Sequence, residues 1–542
     1  MNNRGFFTRV NLALGEWKSH WRLFQVTRQI AGKARPKPGK PTVAFFVAST
    51  RLSHMSLNAA FAYLSACGLQ VAGLPVVYFG CKGGMSRCVL GTDRDLPMKP
   101  PPCKACIAES QRLFAHAPTL WFSYQEDERL NQLLENKSIQ ELSQFTHNLD
   151  SLSNEIIPLG ELTLPSLRWA LRRHHLQDDE STRFLFRQFI LSAWHVANEF
   201  RIFLDKSEPD VVVVFNGILY PEATARWVAR RRGLRVITHE VGFQPFSAFF
   251  SDADATAYPI EIPAEFELTP EQNARLDAYL EQRFQGQFSM AGIRFWPEMR
   301  GLDEAFNQRA AQFEQIVPVF SNVIYDTSQV HANSVFPHMF AWLDLVKAIG
   351  QAHPETLFVI RAHPDELRPG KESRESVPEW VARNGVAGWP NVIFVNATEY
   401  LSSYELIQRS KFAMVYNSSI GLEAALMGKA VICGGNARYT AYPTVFSPES
   451  PTAYRELAEQ FLDAEGPIVV PAEFIRQARR FMYYQLYRAS LPFGEFLERD
   501  ALPGYVRLKR FRWDSLAPNY FPAVKVLYEG IVHRKPFLLH ED

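Results

Sequence analysis

Short runs of residues that are apolar at nearly every position recur along this chain. The runs at 42–49 and 210–215 are examples, and each lies beside a segment whose apolar residues recur at helical spacing. A strand that is apolar on both faces must be covered on both sides, as in a parallel sheet with helices against each face. The sequence therefore predicts an α/β fold.

The strand and helix patterns form two series, which predict two Rossmann-like domains. The first covers residues 41–290 and the second residues 316–450, with a helical connection near 290–316. A basic amphipathic segment, 1–40, precedes them, and a helical region with a basic aromatic tail, 451–542, follows. Parallel sheets bind ligands at the carboxyl ends of their strands, so we expect the substrate in a cleft between the two domains.

Two long stretches are predicted to be mainly helical. Residues 107 to about 204 follow the first βαβ unit and form a helical insert in the first domain. Residues 452–497 follow the second series and are expected to form helices up to the basic tail.

Charge is distributed unevenly along the 542 residues. The formal net charge is +1, which gives no reason to expect a nucleic-acid partner. Nine Lys/Arg and one acidic residue nevertheless give residues 1–40 a net charge of +8, and residues 505–540 carry +5. Basic clusters with interleaved aromatic residues suit an anionic membrane surface.

No apolar run reaches the length of about 20 residues that a membrane-spanning helix needs. The first 39 residues do not resemble a secretory signal, and six cysteines in so long a chain do not suggest a disulfide scaffold. We therefore expect a cytoplasmic protein that rests peripherally on the inner face of the membrane.

Residues 6–30 have an amphipathic helical pattern, and two interpretations remain open. The helix packs on the body of the protein, or it lies on the membrane surface. The aromatic residues that would make shallow membrane contact are Phe6, Phe7, Trp17, Trp21, Trp513 and Tyr520.

The segment Tyr416–Gly428 is the richest in candidate binding residues. A strand is predicted to end at Tyr416, and Asn417, Ser418 and Ser419 then form a turn into a helix. Hydroxyl groups and free N–H groups at such a turn cap the helix or bind phosphate. Glu423, one turn later, would reach ribose hydroxyls of a bound nucleotide.

Two further loops follow predicted strands of the second series. Gly434–Tyr439 contains two glycines that admit close backbone approach, and Arg438 offers a guanidinium to phosphate. Arg361, His363 and Pro364 lie at the end of another strand, where His363 would donate to a phosphate or a base. A single His-Pro pair also fits a purely structural turn.

Together, Arg-Ala-His363-Pro364, Asn417-Ser-Ser-Ile-Gly-Leu-Glu-Ala-Ala-Leu-Met-Gly-Lys429 and Cys433-Gly-Gly-Asn-Ala-Arg-Tyr439 resemble the bacterial capsule polysaccharide biosynthesis proteins, which include Kdo transferases. The resemblance covers about residues 317–446. It implies a GT-B glycosyltransferase with a nucleotide-sugar in the cleft, and a similar His-Pro and Ser-Ser pattern in sialyltransferases favours a CMP-sugar. His363 and Pro364 would then contact the nucleotide, and Ser418 and Ser419 its phosphate.

The first half contains one fragment that is similar to the same family, Thr238–Phe243. It places Glu240 or His239 on the acceptor side, where either could accept the proton of the acceptor hydroxyl. Both residues also fit an ordinary strand end. Asp252 and Asp254 are weaker candidates.

Four of the six cysteines lie in one loop, residues 80–106. Cys81, Cys88, Cys103 and Cys106 would provide four thiolates for a structural zinc ion, although only the last two form a CxxC pair. Free thiols and a redox pair are the alternatives. Cys67 and Cys433 lie in apolar runs and are expected to be buried.

These features predict a glycosyltransferase that builds a surface glycan. No Asp-x-Asp motif stands where a metal–diphosphate bridge is expected, so we expect catalysis without a cofactor. The expected partners are a nucleotide-sugar donor, a glycan or lipid-linked acceptor, and an anionic membrane surface. A CDP-glycerol-type phosphotransferase, a nucleotide-sugar 2-epimerase and a non-catalytic glycan-assembly protein are the alternatives.

Overall fold

The structure, a computed structural model, describes residues 3–48, 54–150, 155–286, 300–368, 370–502 and 504–541. Its strands are β1 (Val43–Val47), β2 (Val76–Cys81), β3 (Thr119–Phe122), β4 (His147–Asp150), β5 (Glu155–Ile157), β6 (Val211–Phe215), β7 (Arg235–Val241), β8 (Ser247–Ser251), β9 (Gln315–Phe320), β10 (Thr356–Arg361), β11 (Val392–Val395), β12 (Ala413–Val415), β13 (Val431–Cys433), β14 (Leu491–Pro492), β15 (Leu497–Arg499) and β16 (Val506–Leu508).

The strands form two large sheets. The first has seven strands in the order β14-β8-β7-β6-β1-β2-β3, in which β3, β2, β1, β6 and β7 run parallel while β8 and β14 are antiparallel. The second has five strands in the order β11-β10-β9-β12-β13, all parallel. The predicted α/β fold with two Rossmann-like sheets is confirmed.

Helices cover the faces of both sheets. They are α1 (Asn3–Lys33), α2 (Leu57–Val71), α3 (Cys103–Phe114), α4 (Glu128–Leu134), α5 (Ile139–Ser143), α6 (Leu159–Leu171), α7 (Glu180–Ser207), α8 (Tyr220–Arg231), α9 (Pro270–Phe284), α10 (Glu304–Ala310), α11 (Gln329–Ala332), α12 (Met339–Ala352), α13 (Val377–Asn384), α14 (Ser403–Arg409), α15 (Ile420–Leu426), α16 (Pro451–Asp463), α17 (Ala472–Tyr483) and α18 (Pro522–His533).

Strand β1 shows why the apolar runs are continuous. Val43 and Phe45 belong to the core on the side of α1, α2 and α18, whereas Ala44 and Phe46 belong to the core on the side of α6, α7 and α8. Successive side chains of a strand point to opposite faces, and here both faces are covered. Every position must therefore be apolar.

The chain returns to the first sheet after the second is complete. After α17 and a π-helical turn at Tyr484–Arg488, β14 pairs with β8 of the first sheet, and α18 packs against α2. The predicted helices of residues 452–497 therefore end at Arg488, because the following residues join the sheet. This return ties the two halves together.

Helix α1 packs on the body of the protein through one face. Leu23, Val26 and Ile30 are buried in the core of the first half, while Trp17 and Trp21 are exposed. The end of α1 also contacts the basic tail, since the Lys33 ammonium lies 5.5 Å from the centre of the Trp513 ring. Among the described residues, no helix is long and apolar enough to cross a membrane.

The predicted helical insert contains strands as well as helices. Strand β3 adds to the edge of the first sheet beside β2, and β4 and β5 form an antiparallel pair. Such short strands are set by their pairing partners, so their own residues predict them poorly. Residues 287–299, which include most of the predicted connection before residue 300, lie outside the described residues.

Candidate active site between the two sheets

A cavity of about 760 Å³ lies between the two sheets, at the carboxyl ends of their strands. Loops after β7 and β8 line it from the first half, and loops after β9, β10, β12 and β13 line it from the second half. This is the position that parallel α/β sheets use for ligands. The predicted residues Arg361, His363, Pro364, Asn417, Ser418, Ser419, Glu423 and Arg438 all line this cavity.

The loop after β10 brings His363 to the cavity with a defined tautomer. Its Nδ1 accepts a hydrogen bond from the backbone N–H of Asp365 at 3.2 Å. Burial lowers the pKa of His363, so the ring is neutral at neutral pH. The proton of the neutral ring then lies on Nε2, which is available as a donor. Pro364 begins the short 3-10 turn that fixes this geometry.

Arg361 is more deeply embedded than the sequence suggested. It is buried and donates to the backbone carbonyl of Leu401. Burial lowers its pKa to about 10, which still leaves the guanidinium charged. Arg361 therefore contributes positive charge to the wall of the cavity while it also holds the loop that contains Leu401.

The turn between β12 and α15 presents hydroxyl groups at the cavity. Ser418 and Ser419 are both half-buried, and the Ser419 hydroxyl makes no capping hydrogen bond to α15. Asn417 is held by Asn322, whose amide donates to Asn417 Oδ1 at 2.6 Å. The two serine side chains thus stand on an ordered turn and face the open volume.

Glu423 has protein partners in this structure. Its buried carboxylate accepts from Arg283 Nη2 at 2.7 Å and from the Tyr404 hydroxyl at 2.5 Å. Both oxygens are therefore engaged, and Glu423 orders the cavity wall where a ribose contact was predicted. Truncating one member of such a buried charged pair is strongly destabilising, because the other charge is left unpaired.

Arg438 lies across the gap between the two halves. Its guanidinium carbon is 4.5 Å from the centre of the Phe243 ring and 5.4 Å from that of Tyr258, both of which come from the first half. Burial lowers the pKa of Arg438. A guanidinium stacked on aromatic faces keeps its N–H edges available for a phosphate.

Gly434 and Gly435, which precede Arg438, make their close contacts with protein atoms, whereas the prediction placed them beside a bound ligand. A Cβ on Gly434 would lie 2.5 Å from Trp342, and one on Gly435 would lie 3.0 Å from the Ala332 carbonyl oxygen. Neither glycine lines the cavity. The close backbone approach is therefore to neighbouring side chains and backbone.

The two candidate bases of the first half lie in different environments. His239 is 1% exposed, and its ring lies 5.3 Å from that of Phe250; burial lowers its pKa to about 3. It is a core residue and does not line the cavity. Asp252 and Asp254 form ion pairs with Arg235 and Arg226 and do not line it either.

Glu240 lies directly beside the cavity-lining segment that starts at Val241. Its carboxylate accepts from Asn216 Nδ2 at 2.8 Å and from the backbone N–H of Val241 at 2.8 Å. Burial raises its pKa, and the charge of Asp326, which lines the cavity, raises it further. Asn216 has a φ of +61°, a conformation that few non-glycine residues adopt, and it aims its amide at Glu240.

The structure adds cavity residues that the sequence did not single out. Asp326 follows β9, and its position at the carboxyl end of a predicted strand was a usable signal. Tyr258 follows the antiparallel strand β8, which was not predicted. Trp169 and Arg172 come from the end of α6, where no motif marks them.

The four loop cysteines line one second, smaller cavity. Backbone N–H groups donate to two of the sulfurs, from Gly84 to Cys81 at 3.2 Å and from Gly91 to Cys88 at 3.1 Å. Burial raises the pKa of Cys81 to about 11 and that of Cys88 to about 12, so both are thiols at neutral pH.

The predicted zinc site does not fit this arrangement. Within the described ranges, which include all four loop cysteines, no three His, Cys, Asp or Glu side chains are placed to hold a metal ion. In the described part of the chain none of these four cysteines forms a disulfide, and Cys67 and Cys433 are buried as predicted.

Residues 282–443 match the model of a protein family described as capsule polysaccharide biosynthesis protein. The match confirms the resemblance read from the motifs over less than a third of the chain. The curated protein FixF of Sinorhizobium fredii is 27% identical over 233 residues, which are 42% of this chain and 49% of FixF. The chain thus spans about half the length of this relative.

Solved structures with weak similarity include two of Thermosulfurimonas dismutans KpsC. The beta Kdo 2,4 transferase is 14% identical with a TM-score of 0.34, covering 57% of this chain and 86% of that one. The beta Kdo 2,7 transferase is 16% identical with a TM-score of 0.32, covering 57% and 85%. A UDP-GlcNAc 2-epimerase from Neisseria meningitidis is 12% identical with a TM-score of 0.26, covering 81% and 98%. Similarity at this level carries no argument about this chain.

Proposed function

We propose that this chain is a glycosyltransferase that moves a sugar from a nucleotide-sugar donor onto a capsular or other surface polysaccharide, or onto its lipid-linked precursor. The observation that carries the proposal is the convergence of His363, Ser418, Ser419 and Arg438 on one open cavity. These residues belong to the stretch that matches the capsule family. A volume of about 760 Å³ lies within the usual range for sites that bind small molecules.

On the donor side, the cavity supplies hydrogen-bond donors for a phosphate. The hydroxyl groups of Ser418 and Ser419, the Nε2–H of His363 and the guanidinium of Arg438 can each donate to a phosphate oxygen. When the bond between the sugar and the phosphate breaks, negative charge builds up on the departing nucleotide. Donors already in position stabilise that charge without reorganisation. The resemblance to sialyltransferases favours a CMP-sugar.

On the acceptor side, Glu240 is our candidate general base. The acceptor hydroxyl oxygen attacks the anomeric carbon, the bond from that carbon to the phosphate oxygen breaks, and the hydroxyl proton passes to Glu240. A base works best when its pKa lies near the working pH, and burial raises the pKa of Glu240 in that direction. The Asn216 amide holds the carboxylate in place. Asp326 is a second candidate, because its exposed carboxylate lines the cavity.

A membrane surface is the proposed location of the acceptor. Trp17, Trp21 and Phe24 form an exposed ladder on α1, with ring centres 6.2 Å and 5.8 Å apart. The basic tail lies against this helix, since Lys33 stacks on Trp513 and Arg22 donates to the backbone carbonyl of Leu508. Aromatic rings beside cations suit the interface of an anionic bilayer, at about 1 kcal/mol per cation. The protein would then work peripherally on the cytoplasmic face.

A panel of CMP, CDP, UDP and GDP in thermal unfolding tests whether a nucleotide binds. A ligand at 100 times its dissociation constant adds about 2.7 kcal/mol of stability, which is a clear rise in melting temperature. We expect one nucleotide to stand out. The absence of any shift would favour a non-catalytic glycan-assembly protein.

Analysis of the products formed from the matching sugar nucleotide distinguishes a glycosyltransferase from the two alternative enzyme classes. A glycosyltransferase releases free nucleotide and needs an acceptor glycan to form product. A 2-epimerase changes the sugar without an acceptor, and a CDP-glycerol-type phosphotransferase leaves a phosphodiester in the product. Either of these last two results would contradict the proposal.

A further inference from the structure

The four cysteines of residues 80–106 come from three parts of the chain and meet at one place. Cys81 ends β2, Cys88 lies in the following loop, and Cys103 and Cys106 belong to the first turn of α3. All four line one cavity of about 30 Å³, whose lining shares no residue with that of the cleft. The reactivity of a cysteine, more than its packing, sets its use, so a cluster of four thiols invites a chemical explanation.

Cys81 and Cys88 form the protonated side of this cavity. Burial raises the pKa of Cys81 to about 11 and that of Cys88 to about 12, so neither supplies a thiolate at neutral pH. A Cβ on Gly91 would lie 2.9 Å from the Cys88 sulfur and 3.0 Å from Pro101. Cys88 is therefore packed close to the residues that lead into α3.

Cys103 and Cys106 have the spacing of a disulfide pair. Residues three apart on a helix share one face, with Cβ atoms about 5–6 Å apart, and a disulfide needs about 3.5–4.5 Å. Pro102, which precedes the helix, makes no side-chain capping bond, so the first turn can contract without breaking one. Burial raises the pKa of Cys103 and the charge of Cys106 raises it further, which places the two sulfurs within electrostatic reach.

We propose that Cys103 and Cys106 are a redox switch that a low-molecular-weight disulfide oxidises reversibly. One cysteine thiolate attacks a sulfur of the reagent, and the first reagent thiol leaves. The other cysteine attacks the protein sulfur of this mixed disulfide, and the second reagent thiol leaves. Two protein thiols become one disulfide, and the reagent takes up the two electrons and two protons.

The loop before α3 connects this pair to the second half of the protein. Arg94 pairs with Glu372 at 3.3 Å, and Asp95 pairs with Arg374. The backbone N–H of Arg374 also donates to the carbonyl of Arg172, in the first half, at 2.9 Å. Contraction of the first turn of α3 displaces the end of this loop. We therefore expect oxidation to weaken the contact between the halves.

Thiol mapping in glutathione buffers tests the pair. The full-length protein is equilibrated at a series of ratios of reduced to oxidised glutathione, alkylated, cleaved with trypsin and mapped by mass spectrometry. Cleavage after Lys104 separates the two cysteines, so their disulfide appears as two joined peptides. We expect Cys103 and Cys106 to lose alkylation together and excess reductant to restore both. Cys103→Ser should abolish the joined peptides, and the buried-thiol control Cys67→Ser should keep them.

Mapping of the unaltered protein keeps this test independent of whether a variant folds. Full alkylation at every glutathione ratio would overturn the proposal. A disulfide that joins any other two cysteines would overturn it as well. So would about one bound zinc ion per chain in protein prepared without chelator, because the thiols would then serve a metal.

Hydrogen exchange of single amides tests the effect on the second half. The Arg374 amide reports the contact between the halves, and the Ser373 amide, which donates to the Glu366 carbonyl at 2.8 Å, is the matched control within the second half. We expect oxidation to speed exchange severalfold at Arg374 and to leave Ser373 unchanged, because only the first bond crosses between the halves. Cys103→Ser should remove the difference. Equal exchange at Arg374 in reduced and oxidised protein would overturn the switch.

Discussion

At the scale of single residues, burial and hydrogen bonds set the chemistry of a few side chains in the cleft. Glu240 and His239 are neighbours on β7, yet one side chain reaches the edge of the cleft and the other fills the core. Because successive residues of a strand face opposite sides, only one of the two could serve the site. The sequence could not decide which, since both faces of β7 are covered.

Replacing Glu240 by Gln removes the proposed base while keeping the hydrogen bond from Asn216 to a side-chain oxygen. We expect kcat to fall by roughly 10²–10⁴, the usual contribution of a general base, with nucleotide affinity nearly unchanged. The exposed Glu265→Gln variant is the control. Full activity in Glu240→Gln would direct attention to Asp326.

Glu366 gives a prediction about pH. It is fully buried, and burial raises its pKa to about 8, while the backbone N–H of Val377 donates to its carboxylate. Between the ordinary pKa of a glutamate and pH 8, the folded state holds a proton that the unfolded state releases. Stability attributable to this group is therefore present at low pH and is lost as pH rises through this window.

Glu366→Gln should remove that loss. We expect its melting temperature, relative to the unaltered protein, to be a few degrees higher at pH 8.5 than at pH 5.5. Thermal unfolding at the two pH values measures the difference, and the exposed Glu465→Gln variant should show none. The same offset at both pH values would mean that Glu366 does not titrate in this range.

At the scale of elements, the turn between β12 and α15 shows how closely the binding loops are packed. A Cβ on Gly421 would lie 2.3 Å from the Tyr439 hydroxyl oxygen, and that hydroxyl donates to the Ser418 carbonyl at 2.7 Å. Glycine at this position thus lets the loop after β13 hold the serine turn. Gly434 and Gly435, the glycines that the sequence singled out, also make their close contacts with protein atoms.

Gly421→Ala should therefore displace Tyr439 and loosen the serine turn. We expect a loss of about 1–3 kcal/mol of stability and weaker nucleotide binding, as for other overpacked sites. Denaturant unfolding measures the first effect and calorimetry the second. Gly388→Ala, where no atom lies within 4 Å of the new Cβ, is the control and should be close to neutral.

The sequence predicted well those strands whose conformation follows from the pattern of their own residues. Strands β1, β6 and β10 were predicted within two residues, because their apolar runs are long and bounded by polar or turn residues. Strand β8 was missed although it pairs with its neighbour β7; only its other partner, β14, lies about 240 positions away, where no local pattern reveals it. The cavity residue Arg172 was missed because its contact is with Tyr325, which is distant in sequence and comes from the other half.

At the scale of the whole molecule, the two basic segments converge on one side of the first half. The chain returns from the second sheet to the first, which brings the tail against α1. The first interpretation of α1, packing on the body of the protein, is confirmed for one face, which is buried in the core. The aromatic ladder on the other face is exposed, and its contact with a membrane stays a prediction. The exposed face is the part that remains free for a bilayer.

Replacing Trp17, Trp21 and Phe24 by serine in one triple variant should weaken the binding of the protein to membranes. In liposome flotation, the unaltered protein should float with anionic vesicles at low salt and less at high salt, because screening shortens the Debye length from about 10 Å at 0.1 M to 3 Å at 1 M. The triple variant should float much less. The control is a variant in which Leu133 and Val469, which are also exposed, are both replaced by serine; it should float like the unaltered protein. Equal flotation of all three proteins would contradict the docking face.

Calorimetric titration of the preferred nucleotide decides whether the loops of the second sheet bind it. The unaltered protein should bind one nucleotide per chain. Ser418→Ala with Ser419→Ala should weaken the affinity by about 10–100-fold, the effect of removing one or two hydrogen bonds to a charged phosphate, while the fold survives. Ser447→Ala, an exposed serine outside the cavity, should bind normally. Unchanged affinity in the double variant would contradict the account.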